Sequence, residues 1–179
     1  MRQPLTIPRL LEFMKALGSS ARADARIYVV GGASAVLLEW RDATVDLDLK
    51  ITPETDEILR NLPVLKERLQ MNIELASPDH FIPELPGWQG RSQFIRQEGR
   101  LSFFHYDFYA QALAKIERGH AVDLLDVRQM VDRGLVDLGR LLELFTAIEG
   151  QLFRYPALDP PTFRQAVERV VSQGISSEQ

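Results

Sequence analysis

The chain of 179 residues has no cysteine and only three histidines, His80, His105 and His120, which are scattered without metal-ligand spacing. Disulfides, thiolate metal sites and a cysteine nucleophile are therefore excluded. No run approaches the roughly 18 apolar residues of a membrane span, and the opening Met-Arg-Gln-Pro-Leu-Thr lacks the apolar stretch of a secretion signal. The expectation is a cytoplasmic protein that makes no use of a membrane. An excess of basic charge is also missing. Twenty-one Lys and Arg stand against 25 Asp and Glu, and the net charge of −4 argues against a broad phosphate-binding surface while leaving room for a local basic patch. There is no repeat and no low-complexity segment. A hydrophobic content of 45% is enough for one domain, or one domain with a small helical appendage.

What the chain does have is concentrated in residues 27–51, which read IYVVGGASAVLLEWRDATVDLDLKI. An apolar strand runs into Gly31-Gly32, a short helix follows near Ala33 to Leu38, and a second strand from about Val45 to Ile51 carries two aspartates. Strand side chains alternate faces, so Asp46 and Asp48 point the same way, while Val45, Leu47 and Leu49 point into a core. Along a strand the two carboxylates stand about 6 to 7 Å apart, close enough to grip one divalent ion or a pair. Their mutual repulsion calls for a positive group. Hard oxygen ligands without cysteine favour Mg²⁺ or Mn²⁺, and Mg²⁺ is usually held by one or two carboxylates plus substrate phosphates. The glycine pair complements this, because it lets a phosphate approach the backbone where a helix start favours an anion. Ser34 can add a hydroxyl donor.

The string Val30-Gly31-Gly32, thirteen intervening residues, then Asp46-Leu47-Asp48-Leu49 resembles the signature of the polymerase-beta-like nucleotidyltransferase superfamily. Within it the chain is most similar to small bacterial nucleotidyltransferase-like proteins grouped with the AbiEii-type toxins. Arg41, Thr44, Asp46 and Asp48 match their Arg-x-x-Thr-x-Asp-x-Asp pattern, and Ala112-Leu113-Ala114-Lys115 matches a later Ala-Leu-x-Lys helix. The likeness covers about residues 10 to 135. It implies an α/β fold with a mixed sheet flanked by helices. It also implies an Mg²⁺- or Mn²⁺-dependent transfer of a nucleoside monophosphate from an NTP to a hydroxyl acceptor, which could be an RNA end, a protein or a small molecule. The relatives further suggest a toxin-antitoxin type component with a protein partner encoded nearby.

The superfamily has a third carboxylate on a later strand, and Glu74, in the alternating run Met71 to Leu75, fits that place best. Asp79, after a proline, and Asp107, placed to cap the next helix, are the competitors. Asp46, Asp48 and Glu74 are thus the expected catalytic and metal-binding set, with Gly31, Gly32, Ser34, Arg41, Thr44, Lys115 and Arg118 around the nucleotide. Lys115 and Arg118 share a helix face at i and i+3 and could meet a triphosphate, or could form a solvated face paired with Glu117 or Asp123. Arg41 could instead pair with a neighbouring acid, and Thr44 could simply favour a strand. Asp123 and Asp126 suit a helix start and are not counted as ligands. Trp88 could pack, or stack on a base.

The remaining elements follow from periodicity and breakers. A helix is expected from Pro8 to Leu17 ending at Gly18, and another from Thr55 to Leu69 interrupted at Pro63. Ser77 to Gly90 is expected as a long structured loop, and Ser92–Arg96 and Arg100–Tyr106 as a hairpin around Gly99. Helices then run to about Ser172, with breaks near Gly119, Gly134 and 155–161, and a frayed tail from Ser172. Residues 1–106 form the nucleotidyltransferase-like core and 107–179 a helical C-terminal part. Two rival functions are a catalytically inert member of the same fold acting as a binding partner, and an unrelated metal-dependent phosphohydrolase.

Overall fold

A computed structural model describes residues 3–174. They form two compact units. The first contains the chain up to Ser77 and then Ser92–Tyr106; the second contains Pro78–Arg91 and the described chain from Asp107.

The first unit is built on a five-stranded sheet in the order β3-β2-β1-β5-β4, from β1 (Ala25–Val30), β2 (Asp46–Thr52), β3 (Asn72–Leu75), β4 (Gln93–Glu98) and β5 (Leu101–His105). β1 runs antiparallel to β2 and parallel to β5, and β2 runs parallel to β3. This is the mixed α/β architecture expected from the sequence. Helices α1 (Ile7–Ser20), α2 (Gly32–Leu37) and α3 (Asp56–Arg68) supply Leu10, Phe13, Val36, Ile58 and Leu62 to one core with Ile27, Val29, Leu47, Leu49, Ile51 and Phe103 of the sheet. The strands contribute by alternation, every second residue facing this core.

Three local expectations are corrected here. Val45 lies just before β2 and is 67% exposed rather than buried. Pro63 does not interrupt α3. The helix continues through it because one lost hydrogen bond on an exposed turn is outweighed by the buried Ile58, Leu62 and Leu65 stripe and by the Thr55 cap, whose side chain accepts from the Ile58 N–H. Gly18 does not end α1 either. It allows close packing on the β4–β5 turn, since a Cβ there would lie 2.4 Å from the Glu98 carbonyl oxygen.

The second unit is helical, with α4 (Trp88–Arg91), α5 (Phe108–Arg118), α6 (Ala121–Asp132), α7 (Leu138–Glu149) and α8 (Pro160–Gln173). The expected breaks are present at Gly119 and Gly134, both at positive φ, and ahead of Pro160. Phe108, Leu113, Ile116, Val127, Leu141, Phe145 and Phe163 are buried, with the Phe145 and Phe163 rings edge to face at 4.9 Å. The segment expected as a loop is more ordered than that. It contains a 3-10 turn, Pro78–His80, and α4, and it buries Ile82, Leu85 and Trp88. Trp88 therefore packs and offers no face to a base. Ser172 still lies within α8, and residues 175–179 of the expected tail lie outside the described residues. No helix among the described residues is long and apolar enough to cross a membrane.

Candidate active site

Asp46, Asp48 and Lys50 alternate along β2 with the buried Leu47, Leu49 and Ile51. The two aspartates thus share the sheet face that points away from the α1–α3 core. The ladders decide what stands beside them. Val30 of β1 lies opposite Asp48 in the antiparallel register, and on the other side Asn72 pairs with Asp46 and Glu74 with Asp48. Residues in register project to the same face. Glu74 is therefore the direct neighbour of Asp48, as one strand's alternation alone could not reveal.

The chain leaves β1 through Val30 into Gly31, whose φ of 66° and ψ of −131° are open to glycine and strained for any other residue. A Cβ placed on Gly31 would lie 3.7 Å from Asp48 Oδ2, so the turn and the carboxylate are adjacent. The first turn of α2 presents N–H groups that have no intrahelical acceptor. Gly32 is required for a different reason. A Cβ there would stand 2.3 Å from Thr44 Oγ1 and 3.3 Å from Arg41 Nη1. Thr44 is itself fixed by two backbone hydrogen bonds with Leu5, of 2.7 and 3.0 Å. Gly31, Gly32, Arg41, Thr44 and Asp48 thus come together in the first unit.

Sequence reasoning overlooked Asn72. Its Nδ2 donates to Asp46 Oδ1 and, at 3.2 Å, to Glu74 Oε1, placing one amide between two of the three acids. The i, i+2 spacing of Asn72 and Glu74 was the available signal. Its force depended on the register with β2.

Ser34 is placed differently from the phosphate-donor expectation. It is fully buried, its hydroxyl donates to the Val29 carbonyl at 3.1 Å, and its oxygen lies 2.9 Å from His105 Nδ1. Because the single hydroxyl proton is directed to Val29, His105 Nδ1 carries the proton shared with Ser34. Burial lowers the His105 pKa from 6.5 to about 4, so the ring is neutral at neutral pH.

Lys115 and Arg118 belong to the second unit. Lys115 is buried, and its Nζ meets Asp126 at 2.8 Å and Asp123 at 3.2 Å; Arg118 meets Asp123 at 2.7 Å. The anticipated pairing with Asp123 is present for both, and Arg118 remains half-exposed, but Lys115 is buried rather than on a solvated face. Asp123 and Asp126 prove to be the ion partners of α5, a role beyond the helix-start effect expected of them. The competing third acids also lie in the second unit. Asp107 is fully buried, caps α5 by accepting from the Tyr109 N–H, and holds Arg91 through both oxygens. Asp79 lies in the 3-10 turn, where its carbonyl accepts from the Tyr155 hydroxyl at 2.8 Å.

Asp46, Asp48 and Glu74 are hard oxygen donors on one open face, a donor set that suits Mg²⁺ or Mn²⁺ and would be poor for zinc. Among the described residues no group of three or more acids and histidines, this trio included, stands close enough together to hold a metal ion by itself. An arrangement in which substrate phosphates complete the coordination fits this open spacing. A family model described as "Nucleotidyltransferase of unknown function (DUF6036)" matches residues 6–164. No curated protein and no solved structure shows significant similarity to the chain.

Proposed function

We propose, from the premise that this chain belongs to the DUF6036 family of nucleotidyltransferases of unknown function, that it transfers a nucleoside monophosphate from an NTP to a hydroxyl acceptor in an Mg²⁺- or Mn²⁺-dependent reaction. The observation that carries the reading is the trio of Asp46, Asp48 and Glu74 on one sheet face, with Glu74 in register with Asp48 and Asp48 beside the Gly31-Gly32 turn. Asp46 and Asp48 would hold the metal. When bound, the ion supplies positive charge against the triphosphate and orients it. The Gly31-Gly32 backbone admits the phosphates at close range, and Arg41, held beside Gly32, offers a guanidinium to a phosphate oxygen. An acceptor oxygen then forms the new bond to the α-phosphorus, and the bond from that phosphorus to the pyrophosphate oxygen breaks. Glu74 either adds a further metal ligand or takes the proton released by the acceptor hydroxyl. Most of the rate comes from positioning and electrostatic stabilisation.

The acceptor is an RNA end, a protein hydroxyl or a small molecule. The resemblance to AbiEii-type toxins is the ground for a toxin-antitoxin type role with a separate protein partner. Incubation of the protein with each α-³²P-labelled NTP, Mg²⁺ or Mn²⁺ and a cell extract tests the activity. Labelled product that requires metal and vanishes in Asp48→Asn supports the reading. Binding of NTP without transfer under every combination would favour an inert member of the family acting as a partner.

A further inference from the structure

Two acids side by side on β2 and a third on β3 repel one another, and an open site needs a device to hold them aligned before a cation arrives. In this protein that device is visible. Asn72 lies on β3 directly across from Asp46 and two residues before Glu74, so all three side chains rise from the same sheet face. Its amide has two N–H bonds, and one nitrogen contacts both Asp46 Oδ1 and Glu74 Oε1. Each carboxylate keeps further lone pairs for a metal, because an ionised carboxylate has about four acceptor sites. β3 is an edge strand of four residues: the ladder with β2 fixes the Glu74 backbone, and the Asn72 amide is the contact that ties its exposed carboxylate to Asp46.

We propose that Asn72 is the positioning residue of the carboxylate set: it bridges Asp46 and Glu74 and so presets their orientation for a divalent cation and the NTP phosphates. This rests on the site reading above and adds to it a residue that touches neither substrate nor metal. Hydrogen-bonding partners of metal ligands commonly account for about 10- to 100-fold in metal affinity. Asn72→Leu removes both donors at similar size, and Asn72→Val does so with a residue suited to a strand.

The test is Mn²⁺ binding to the full chain, followed by the loss of the free-ion electron paramagnetic resonance signal, in the presence of a non-hydrolysable NTP analogue. Wild type, Asp48→Asn, both donorless variants and Asn72→Gln are compared, each with its thermal unfolding midpoint. The expected result is a loss of about tenfold or more in Mn²⁺ affinity for Leu and Val at an unchanged midpoint, with Asn72→Gln recovering most of it. Should Leu fail to fold, Val decides. Wild-type affinity in a folded donorless variant, alongside lost binding in Asp48→Asn, would overturn the role of Asn72 and leave the site reading intact. Absence of Mn²⁺ binding by wild type would overturn both.

Discussion

Gly32 and Thr44 occupy mutually exclusive space: a single methyl on Gly32 would lie 2.3 Å from Thr44 Oγ1 and 3.0 Å from its Cβ. Thr44 cannot retreat freely, because Leu5 holds its backbone through both its N–H and its carbonyl. Gly32→Ala should therefore destabilise the first unit by about 1 to 3 kcal/mol through overpacking and should push Arg41 away from the glycine turn. Thr44→Ala alone should cost less, and the double variant should recover part of the loss. A double-mutant cycle by urea denaturation measures the coupling, and simple additivity of the two changes would contradict the contact.

Glu74 and Asp107 separate activity from stability. Glu74 is exposed on the open face, so Glu74→Gln should leave the unfolding midpoint nearly unchanged while lowering nucleotidyl transfer severely. Asp107→Asn should do the reverse in the second unit, losing about 2 kcal/mol as the Arg91 pair and the α5 cap weaken. Parallel thermal melts and label-transfer assays distinguish them. Stability loss in Glu74→Gln without loss of transfer would exclude Glu74 as the third acid.

The buried ion cluster of α5 and α6 should respond strongly to Lys115→Met. Removing the ammonium leaves Asp123 with Arg118 alone and deprives Asp126 of its Lys115 contact, both inside the helical unit. The cost expected for breaking a buried pair is about 3 kcal/mol or more. Asp126→Asn in the Lys115→Met background should restore part of it, measurable by denaturant unfolding, and an unaltered midpoint in the single variant would show that the cluster contributes nothing.

Acid stability should carry the mark of His105. Its folded pKa of about 4 lies below the unfolded value of 6.5, so the unfolded chain takes up the proton first. The associated stability is fully present above about pH 6.5, falls as the pH drops toward 4, and is gone below that. Over this window the loss is on the order of 3 kcal/mol. His105→Gln should flatten that part of the stability profile from pH 7 to 4, and an identical slope in both proteins would assign it to other groups.

Much of the first unit was legible because its signals are local. Alternation in Asp46-Leu47-Asp48-Leu49 specifies which side chains share a face, and the Gly31-Gly32 pair after an apolar strand marks the turn into a helix. Caps and breakers were equally readable at Asp107, Gly119 and Gly134. Pro63 and Gly18 misled for a shared reason: both carry a local penalty that burial of a neighbouring apolar stripe, or a close backbone crossing, overrides.

The sequence by itself determined the alternation that puts the two aspartates together, the glycine turn ahead of them and the helical character of the chain after Asp107. The tertiary structure decided their neighbours. Strand pairing brought Asn72 and Glu74 into register with Asp46 and Asp48, the Leu5 bridge pressed Thr44 onto Gly32, and burial turned Ser34 inward to Val29 and His105. Register and burial depend on residues distant in the chain, so no local pattern could have specified these contacts.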